Sequence, residues 1–111
     1  MDQGDVYLVN LDPTLHTEIG KIRPGIVISI NAMNHSSPRL IVAPITSTTR
    51  KIYPFEIFIP RGTAGLDKDS KIMLDQLRSL DKERLVKKIG GVDKKTLSKA
   101  CAIAKRLISA D

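Results

Sequence analysis

Short apolar runs separated by turn residues fill most of the chain before residue 93. Three of them are Asp5–Leu11, Pro24–Ile30 and Arg39–Thr46, which are rich in β-branched residues and are followed by Asp, Asn or Ser. Runs of this length, bounded in this way, are typical of β-strands. All are far shorter than the about 20 apolar residues of a membrane-spanning helix. The pattern predicts a mainly β fold, and we expect a single domain over residues 1–111.

The later part of the chain predicts shorter elements. Further strands are expected at Phe55–Ile59 and Val86–Val92, and residues 70–80 predict one long strand or two short strands joined by a bend. Residues 31–38 predict a loop or an irregular turn, and Asp81 is positioned to cap a helical turn.

A closing helix is predicted after Asp93, which can cap its start. Its apolar face would comprise Leu97, Ala100 or Cys101, Ala104, Leu107 and Ile108. Many short strands followed by one helix predict a small, strongly curved β-barrel or sandwich with the helix packed on it.

Arg23 and Pro24 precede a buried apolar run. Proline fixes its own φ and has no N–H for a ladder, so it belongs at the first residue of a strand or at an edge. We therefore expect a strand to start at Pro24, and Pro44 to mark an edge or a bulge. Arg23 would then be held where a loop meets the sheet.

The net charge of +6 is concentrated near the C-terminus. Residues 82–106 contain nine Lys or Arg and two acidic residues, a local balance of +7. A polyanionic partner, either nucleic acid or an acidic protein segment, fits this charge, although charge alone slightly favours a solvated helix face. Aromatic residues make up only 4% of the chain, which argues against binding based mainly on base stacking.

Most catalytic templates are absent from the sequence. It has no glycine-rich phosphate loop, and His16 and His35 have no metal-ligand partner at helical spacing. The single cysteine, Cys101, excludes an internal disulfide and any Cys-based zinc site. No secretory signal is recognisable, so we expect a cytoplasmic protein with no metal, cofactor or membrane association.

Polar residues interrupt the apolar runs at three places. They are the group of Glu18, Lys21 and Arg23, the pair Thr46 and Ser47, and the group of Asp75, Gln76, Arg78 and Ser79. Each taken singly is more simply structural. Together, guanidinium groups and hydroxyls are suited to binding a phosphate. RNA fits such a site, since its 2′-OH supplies the nucleophile and the protein need only move protons and stabilise charge.

Three segments resemble the MazF/PemK toxins of bacterial toxin–antitoxin systems. They are "GDVYLVNLDPTLHTEIGKIRPGIVIS", "IVAPITSTT" and "GLDKDSKIMLDQLRSLDKERL", in the family order from Gly4 to about Gly90. The resemblance implies an SH3-like small barrel of the MazF/CcdB type. It also implies a homodimeric endoribonuclease that cuts single-stranded RNA at a short sequence, without metal or ribosome, leaving 2′,3′-cyclic phosphate and 5′-OH ends. The partner would be a MazE-like antitoxin, whose acidic C-terminal tail would match the basic segment.

Carried over by position, the catalytic arginine of the family falls on Arg23 and the catalytic threonine on Thr46. Glu18 falls on the acidic position of the loop. Arg23 would stabilise charge, because a guanidinium with a pKa above about 12 is a poor base at neutral pH, and Glu18 or His16 is the better base. The candidate RNA-binding residues are His16, Lys21, Ser47, Thr48, Gln76 and Arg78.

Two other functions remain open from the sequence. One is a non-enzymatic toxin of the same fold that binds and poisons DNA gyrase, as CcdB does. The other is a nucleic-acid-binding SH3-like module without chemistry.

The chain departs from the family pattern at two places. Ile22 stands where some family members have histidine, so this position receives no catalytic role. The segment "STTRKIYPFE" also differs from several members, and we expect it to influence base choice.

Overall fold

A computed structural model describes residues 1–13 and 21–111, and within them one antiparallel sheet of seven strands. The strands are β1 Asp5–Asn10, β2 Ile22–Val27, β3 Arg39–Thr46, β4 Glu56–Ile59, β5 Ser70–Met73, β6 Arg78–Asp81 and β7 Leu85–Gly91. The helices are α1 Asn31–Ser36 and α2 Lys94–Leu107, with short 3₁₀ turns at Leu74–Gln76 and Lys82–Arg84. The prediction of a mainly β fold with a C-terminal helix is confirmed. No helix in the described part of the chain is long and apolar enough to cross a membrane.

Strand β3 organises the sheet, whose order is β4–β5–β3–β2–β1–β7 with β6 beside β3. On one side β3 pairs with β2, and on the other it pairs first with β6 and then, at Ile45–Thr46, with β5. The 3₁₀ turn Leu74–Gln76 separates β5 from β6. Residues 70–80 therefore form two short strands joined by a bend, which is one of the two predicted arrangements.

Among the strands in the described residues, no hydrogen-bonded pairing closes the sheet, and β4 and β7 are the ends of its strand order. The turn after β4 nevertheless lies against β7. A Cβ on Gly65, which has a φ of +75°, would be 1.9 Å from the Ile89 carbonyl oxygen. Only glycine permits this backbone approach. The two ends of the curved sheet thus come together without forming a ladder.

Both faces of the sheet are buried over its centre. One face packs against Ala100 and Ile103 of α2, in a core that includes Val6, Ile26, Ala43, Ile72 and Leu74. The opposite face carries a second core of Val9, Leu11, Val27, Leu40, Val42 and Leu80. Strand residues alternate between these two cores because successive side chains point to opposite faces.

The predicted apolar face of α2 is partly wrong. Asp93 caps the helix as expected, and its carboxylate accepts a hydrogen bond from the Thr96 N–H at 2.7 Å. Leu107 and Ile108, however, are 44% and 81% exposed, whereas Ile103 is buried. The last turn of the helix extends past the core, so helical spacing alone places too many residues inside.

Strand β2 begins at Ile22, so the prediction that Pro24 starts the strand is wrong. The Val27 carbonyl accepts from Gly4 on the β1 side, and the Ile28 N–H donates to Ile41 on the β3 side. Backbone polar groups of successive strand residues face alternate neighbouring strands, so the nitrogen of Pro24 faces β3. Gly25 is the last β2 residue paired with β3, so Pro24 lies beyond the end of that ladder. Proline is tolerated inside β2 because the ladder to β3 has already ended there.

The same alternation explains Pro44, which is fully buried and paired with Gly25. Its nitrogen faces the interval between the β6 pairs, which end at Val42, and the β5 pairs, which begin at Ile45. The expected irregularity is therefore a gap between two partner strands. It is neither an edge nor a bulge of β3 itself.

One further local prediction is wrong and another is partly wrong. Residues 31–36 form helix α1, whose buried Asn34 donates from Nδ2 to the Ser29 carbonyl oxygen at 2.8 Å. This local bond holds a helix that has no capping side chain. The helical turn predicted after Asp81 is present as the 3₁₀ turn Lys82–Arg84, but Asp81 makes no capping bond, because its carboxylate pairs with Arg39 at 3.2 Å.

Candidate active site

Arg23 and Thr46 lie on the same face of the sheet. Two-residue steps lead from Val27 to Arg23 on β2 and from Val42 to Thr46 on β3, and both valines belong to the second core. The last β2–β3 pair is Gly25 with Pro44, and the same register continued by two residues sets Arg23 opposite Thr46. The two strands part at this point, where β3 goes on to pair with β5. A cationic and a hydroxyl side chain thus lie on the same face of the sheet, each two residues beyond the last β2–β3 pair.

Thr46 is buried, with 8% of its surface exposed. Its Oγ1 accepts a hydrogen bond from the Thr48 N–H at 3.2 Å, which leaves the hydroxyl proton available to an acceptor. Ser47 and Thr48 are exposed at the start of the segment that leads to β4. The structure therefore fixes Thr46 and presents the next two hydroxyls to solvent.

A pocket of about 210 Å³ opens beside Arg23, and Thr46 does not contribute to its lining. Arg23 and Ser47 contribute to its lining, together with Asp67 and Lys68 from the turn before β5. Lys68 could not be singled out from the sequence, because a lysine in a Gly- and Asp-rich turn has no distinguishing pattern. The pocket brings a second cation near Arg23.

Lys71 is a further residue that sequence reasoning missed. It is paired with Thr46 across β3 and β5, so Lys71 and Thr46 share a face. Its Nζ lies 2.9 Å from Glu56 Oε1 and donates to the Lys51 carbonyl oxygen, also at 2.9 Å. The side chains of Lys71 and Glu56 are only 10% and 5% exposed. A buried ion pair therefore lies next to the candidate catalytic threonine.

The other predicted binding residues have diverse surroundings. Gln76 is half-buried in the 3₁₀ turn before β6, and its Nε2 lies 3.6 Å from Met73 Sδ. Arg78 donates from Nη1 to the Leu11 carbonyl oxygen at 2.8 Å, on the face of the second core. These contacts give both residues a structural role beside any role in binding.

Lys21 closes the base of the segment after β1. It is exposed with a φ of +65°, and its backbone N–H donates to Asp12 Oδ1 at 2.8 Å. The Leu11 N–H donates to the Lys21 carbonyl oxygen at 2.9 Å. Arg84, which the sequence did not single out, bonds the carbonyl oxygens of Asn10 and Asp12. His16 and Glu18 lie outside the described residues.

The pKa of Asp75 is shifted by burial and by a neighbouring charge. Burial, reinforced by the neighbouring carboxylate of Glu56, raises the pKa of Asp75 above its ordinary value of 3.8. Among residues 1–13 and 21–111, no three His, Cys, Asp or Glu side chains gather as metal ligands would.

Comparison with known proteins identifies the family. Residues 2–108 match the family model described as the PemK-like, MazF-like toxin of type II toxin–antitoxin systems. The endoribonuclease MazF of Staphylococcus saprophyticus is 44% identical over 90 residues, which cover 80% of this chain and 75% of that protein.

Solved structures show the same fold. MazF from Deinococcus radiodurans superposes with a TM-score of 0.84 at 27% identity, covering 97% of this chain and 96% of the other. A MazE–MazF structure from the same organism has a TM-score of 0.76 at 25% identity, covering 97% and 95% of the two chains. The match to the family model spans nearly the whole chain, in agreement with the three segments recognised in the sequence. The chain therefore belongs to the PemK-like, MazF-like family of toxins of type II toxin–antitoxin systems.

Proposed function

We propose that the chain is a toxin that cleaves single-stranded RNA at a short sequence, without a metal or the ribosome. The observation that supports this proposal is that Arg23 and Thr46 lie on one face of the sheet, each two residues beyond the last β2–β3 pair of Gly25 with Pro44. The name of the Staphylococcus relative, an endoribonuclease, supports the same activity. This name favours RNA cleavage over the two alternatives, which are a gyrase-binding toxin and an RNA-binding module without chemistry.

In the proposed reaction the 2′-oxygen of the RNA forms a bond to phosphorus, and the bond from phosphorus to the 5′-oxygen breaks. The 2′-OH loses its proton to a base, and the leaving 5′-oxygen gains one. The products are a 2′,3′-cyclic phosphate and a 5′-OH. Glu18 and His16 are the candidate bases, because each accepts a proton near neutral pH more readily than a guanidinium.

Arg23 and Thr46 would stabilise the pentavalent phosphate. A guanidinium offers a fork of N–H donors that matches phosphate oxygens, and it also neutralises developing charge. The Thr46 hydroxyl can donate to a phosphate oxygen, because its oxygen already accepts from Thr48. Lys21, Ser47, Thr48, Gln76 and Arg78 would bind the RNA on either side of the scissile phosphate.

The proposed protein partners follow from charge and family. A MazE-like antitoxin with an acidic C-terminal tail would bind the basic residues 82–106 and exclude RNA. The existence of a solved MazE–MazF structure for a relative supports an antitoxin partner of this kind. We further propose a homodimer in the cytoplasm. Sedimentation at micromolar concentration tests the dimer, and addition of the antitoxin tail peptide to a cleavage reaction tests the inhibition.

The activity is tested with a long single-stranded RNA, purified protein and excess EDTA. The wild type is expected to give discrete fragments with 2′,3′-cyclic phosphate ends, and Arg23→Ala and Thr46→Ala to lose them. Arg39→Ala is the matched control, because Arg39 is an exposed arginine at the opposite end of β3, paired with Asp81. Intact RNA with the wild type would overturn the proposal and move attention to gyrase.

A further inference from the structure

The buried pair of Lys71 and Glu56 is costly for a domain of this size. Removing two charges from water costs several kcal/mol per ion, which their attraction offsets only when further hydrogen bonds complete the geometry. An apolar pair of similar volume would stabilise strands β4 and β5 at least as well. The pair is therefore explained poorly by stability alone.

The hydrogen bonds of the pair all lead to one segment, residues 47–55, which connects β3 to β4. Lys71 Nζ donates to the Lys51 carbonyl oxygen at 2.9 Å. Glu56 Oε1, which receives Lys71 Nζ, also accepts from the Tyr53 N–H at 2.9 Å. The two charged groups thus bind the backbone of the segment at Lys51 and Tyr53.

Side chains of the same segment pack around this attachment. The rings of Tyr53 and Phe55 are stacked, with centroids 5.4 Å apart and planes inclined by 2°. Lys51 Nζ lies 4.8 Å from the centre of the Tyr53 ring, and Lys71 Nζ lies 5.7 Å from it. The segment is therefore one packed unit, to which Lys71 of strand β5 is hydrogen-bonded.

The unit is attached directly beside the candidate catalytic threonine. Lys71 is the cross-strand partner of Thr46, the last residue before the segment. Any displacement of Lys71 relative to Glu56 would move the segment with respect to Thr46. The exposed residues Ser47, Thr48, Arg50 and Lys51 of the segment carry hydroxyls and positive charge that suit RNA.

We propose that the buried Lys71–Glu56 pair is a positioning device, which fixes residues 47–55 over Thr46 and thereby sets how strongly the site discriminates between RNA sequences. The inference rests on the proposed ribonuclease function. The Lys71 side chain is only 10% exposed and binds the backbone of the segment, so it acts through residues 47–55. A loosely held segment would contact bases less selectively, because binding geometry would no longer exclude mismatched sequences.

The first test does not depend on activity. Trypsin cuts after Arg50 and Lys51, both exposed in the segment. We expect Lys71→Met to be cut there about tenfold faster than the wild type under native conditions, because proteolysis follows the population of the locally opened form. Mass spectrometry of early products identifies these cuts among the others.

Two further variants make the trypsin test independent of one substitution. Glu56→Gln keeps an oxygen for the Tyr53 N–H but removes the charge that holds Lys71. It should therefore also open the segment, and it provides the test if Lys71→Met fails to fold. The Lys71→Met/Glu56→Gln double variant should be no worse than the single variants, because each removes the same interaction. Arg39→Met is the matched control, since it breaks the exposed Arg39–Asp81 pair elsewhere on β3.

The second test measures discrimination. The ratio of kcat/KM for an RNA oligonucleotide with the wild-type cleavage sequence to that for single-base variants is expected to fall about tenfold in Lys71→Met. A role confined to stability would lower the amount of active protein and leave this ratio unchanged. The Arg39→Met control should retain the wild-type ratio.

The outcomes separate this inference from the proposed function. If the wild type cleaves RNA but both pair variants keep wild-type trypsin rates and discrimination, the inference is wrong and the ribonuclease stands. If the wild type does not cleave RNA, the proposed function fails together with the RNA part of this inference. The trypsin rates then still decide whether the pair holds the segment.

Discussion

Gly25 is the position where one added methyl carbon should destabilise the fold most clearly. It lies on the face of the second core, two residues from Arg23. A Cβ built there would be 2.6 Å from Val42 Cγ1 and 3.2 Å from Val9 Cγ2. Ordinary contacts begin near 3.4 Å, so Gly25→Ala requires Val42 to move by about 0.8 Å. Both valines are fully buried and branched at Cβ, so neither yields by rotation alone.

We expect Gly25→Ala to lower the free energy of unfolding by about 1–3 kcal/mol, the usual cost of overpacking a core. For a chain of this length that corresponds to a fall in melting temperature of roughly 5–20 °C. A strand shift approaching 1 Å would also separate Arg23 from Thr46, and misplacement of that size can reduce catalysis by about 10²-fold.

Urea unfolding followed by circular dichroism measures the effect. Gly91→Ala is the matched control, because its nearest atom would be 3.5 Å away and its free energy of unfolding should change by less than about 0.5 kcal/mol. Val42→Ala added to Gly25→Ala should restore room, giving a coupling energy of about 1 kcal/mol or more. Strict additivity of the two substitutions would refute the steric explanation.

Two predictions concern pH. The hydrogen bond from the Thr96 N–H lowers the pKa of Asp93 below 3.8. The ionised Asp93 carboxylate therefore stabilises the folded protein above pH 3.8, and this stabilisation is lost as the pH falls through the depressed pKa. Asp93→Ala should therefore lower the melting temperature more at pH 7 than at acidic pH, while Asp93→Asn, which keeps an acceptor, should lower it less; an equal loss at both pH values would contradict this. Burial raises the pKa of Asp75, so its ionised form destabilises the fold at pH values above that pKa. Asp75→Asn should raise the melting temperature at pH 7 and leave it unchanged at pH 3, and a lower melting temperature at pH 7 would show that the carboxylate is needed.

The sequence predicted elements best where local pattern and burial agree. Strand β3 runs from Arg39 to Thr46 as expected, because consecutive apolar residues fill cores on both of its faces. The cap at Asp93 was likewise predictable, since it depends on residues three positions apart. Helix α1 was missed because its stability depends on the contact of Asn34 with Ser29, which no helical periodicity reveals.

The candidate site was predictable only in its members. Arg23 and Thr46 were named from motifs, but their juxtaposition depends on the register of β2 against β3, which is a tertiary property. Lys71 could not be found in this way. A single lysine in the run "SKIM" indicates an exposed position, and its partner Glu56 lies 15 residues away on another strand.

The close approach of Gly65 to Ile89 also bears on how the protein avoids sticking to other molecules. An edge strand with unpaired backbone groups is a template on which another chain can add a strand and begin aggregation. At β7 the turn that contains Gly65 already lies on the backbone at Ile89, and the exposed Lys87 and Lys88 place charge on the same strand. The absence of a single Cβ thus lets the chain shield its own edge from neighbouring molecules.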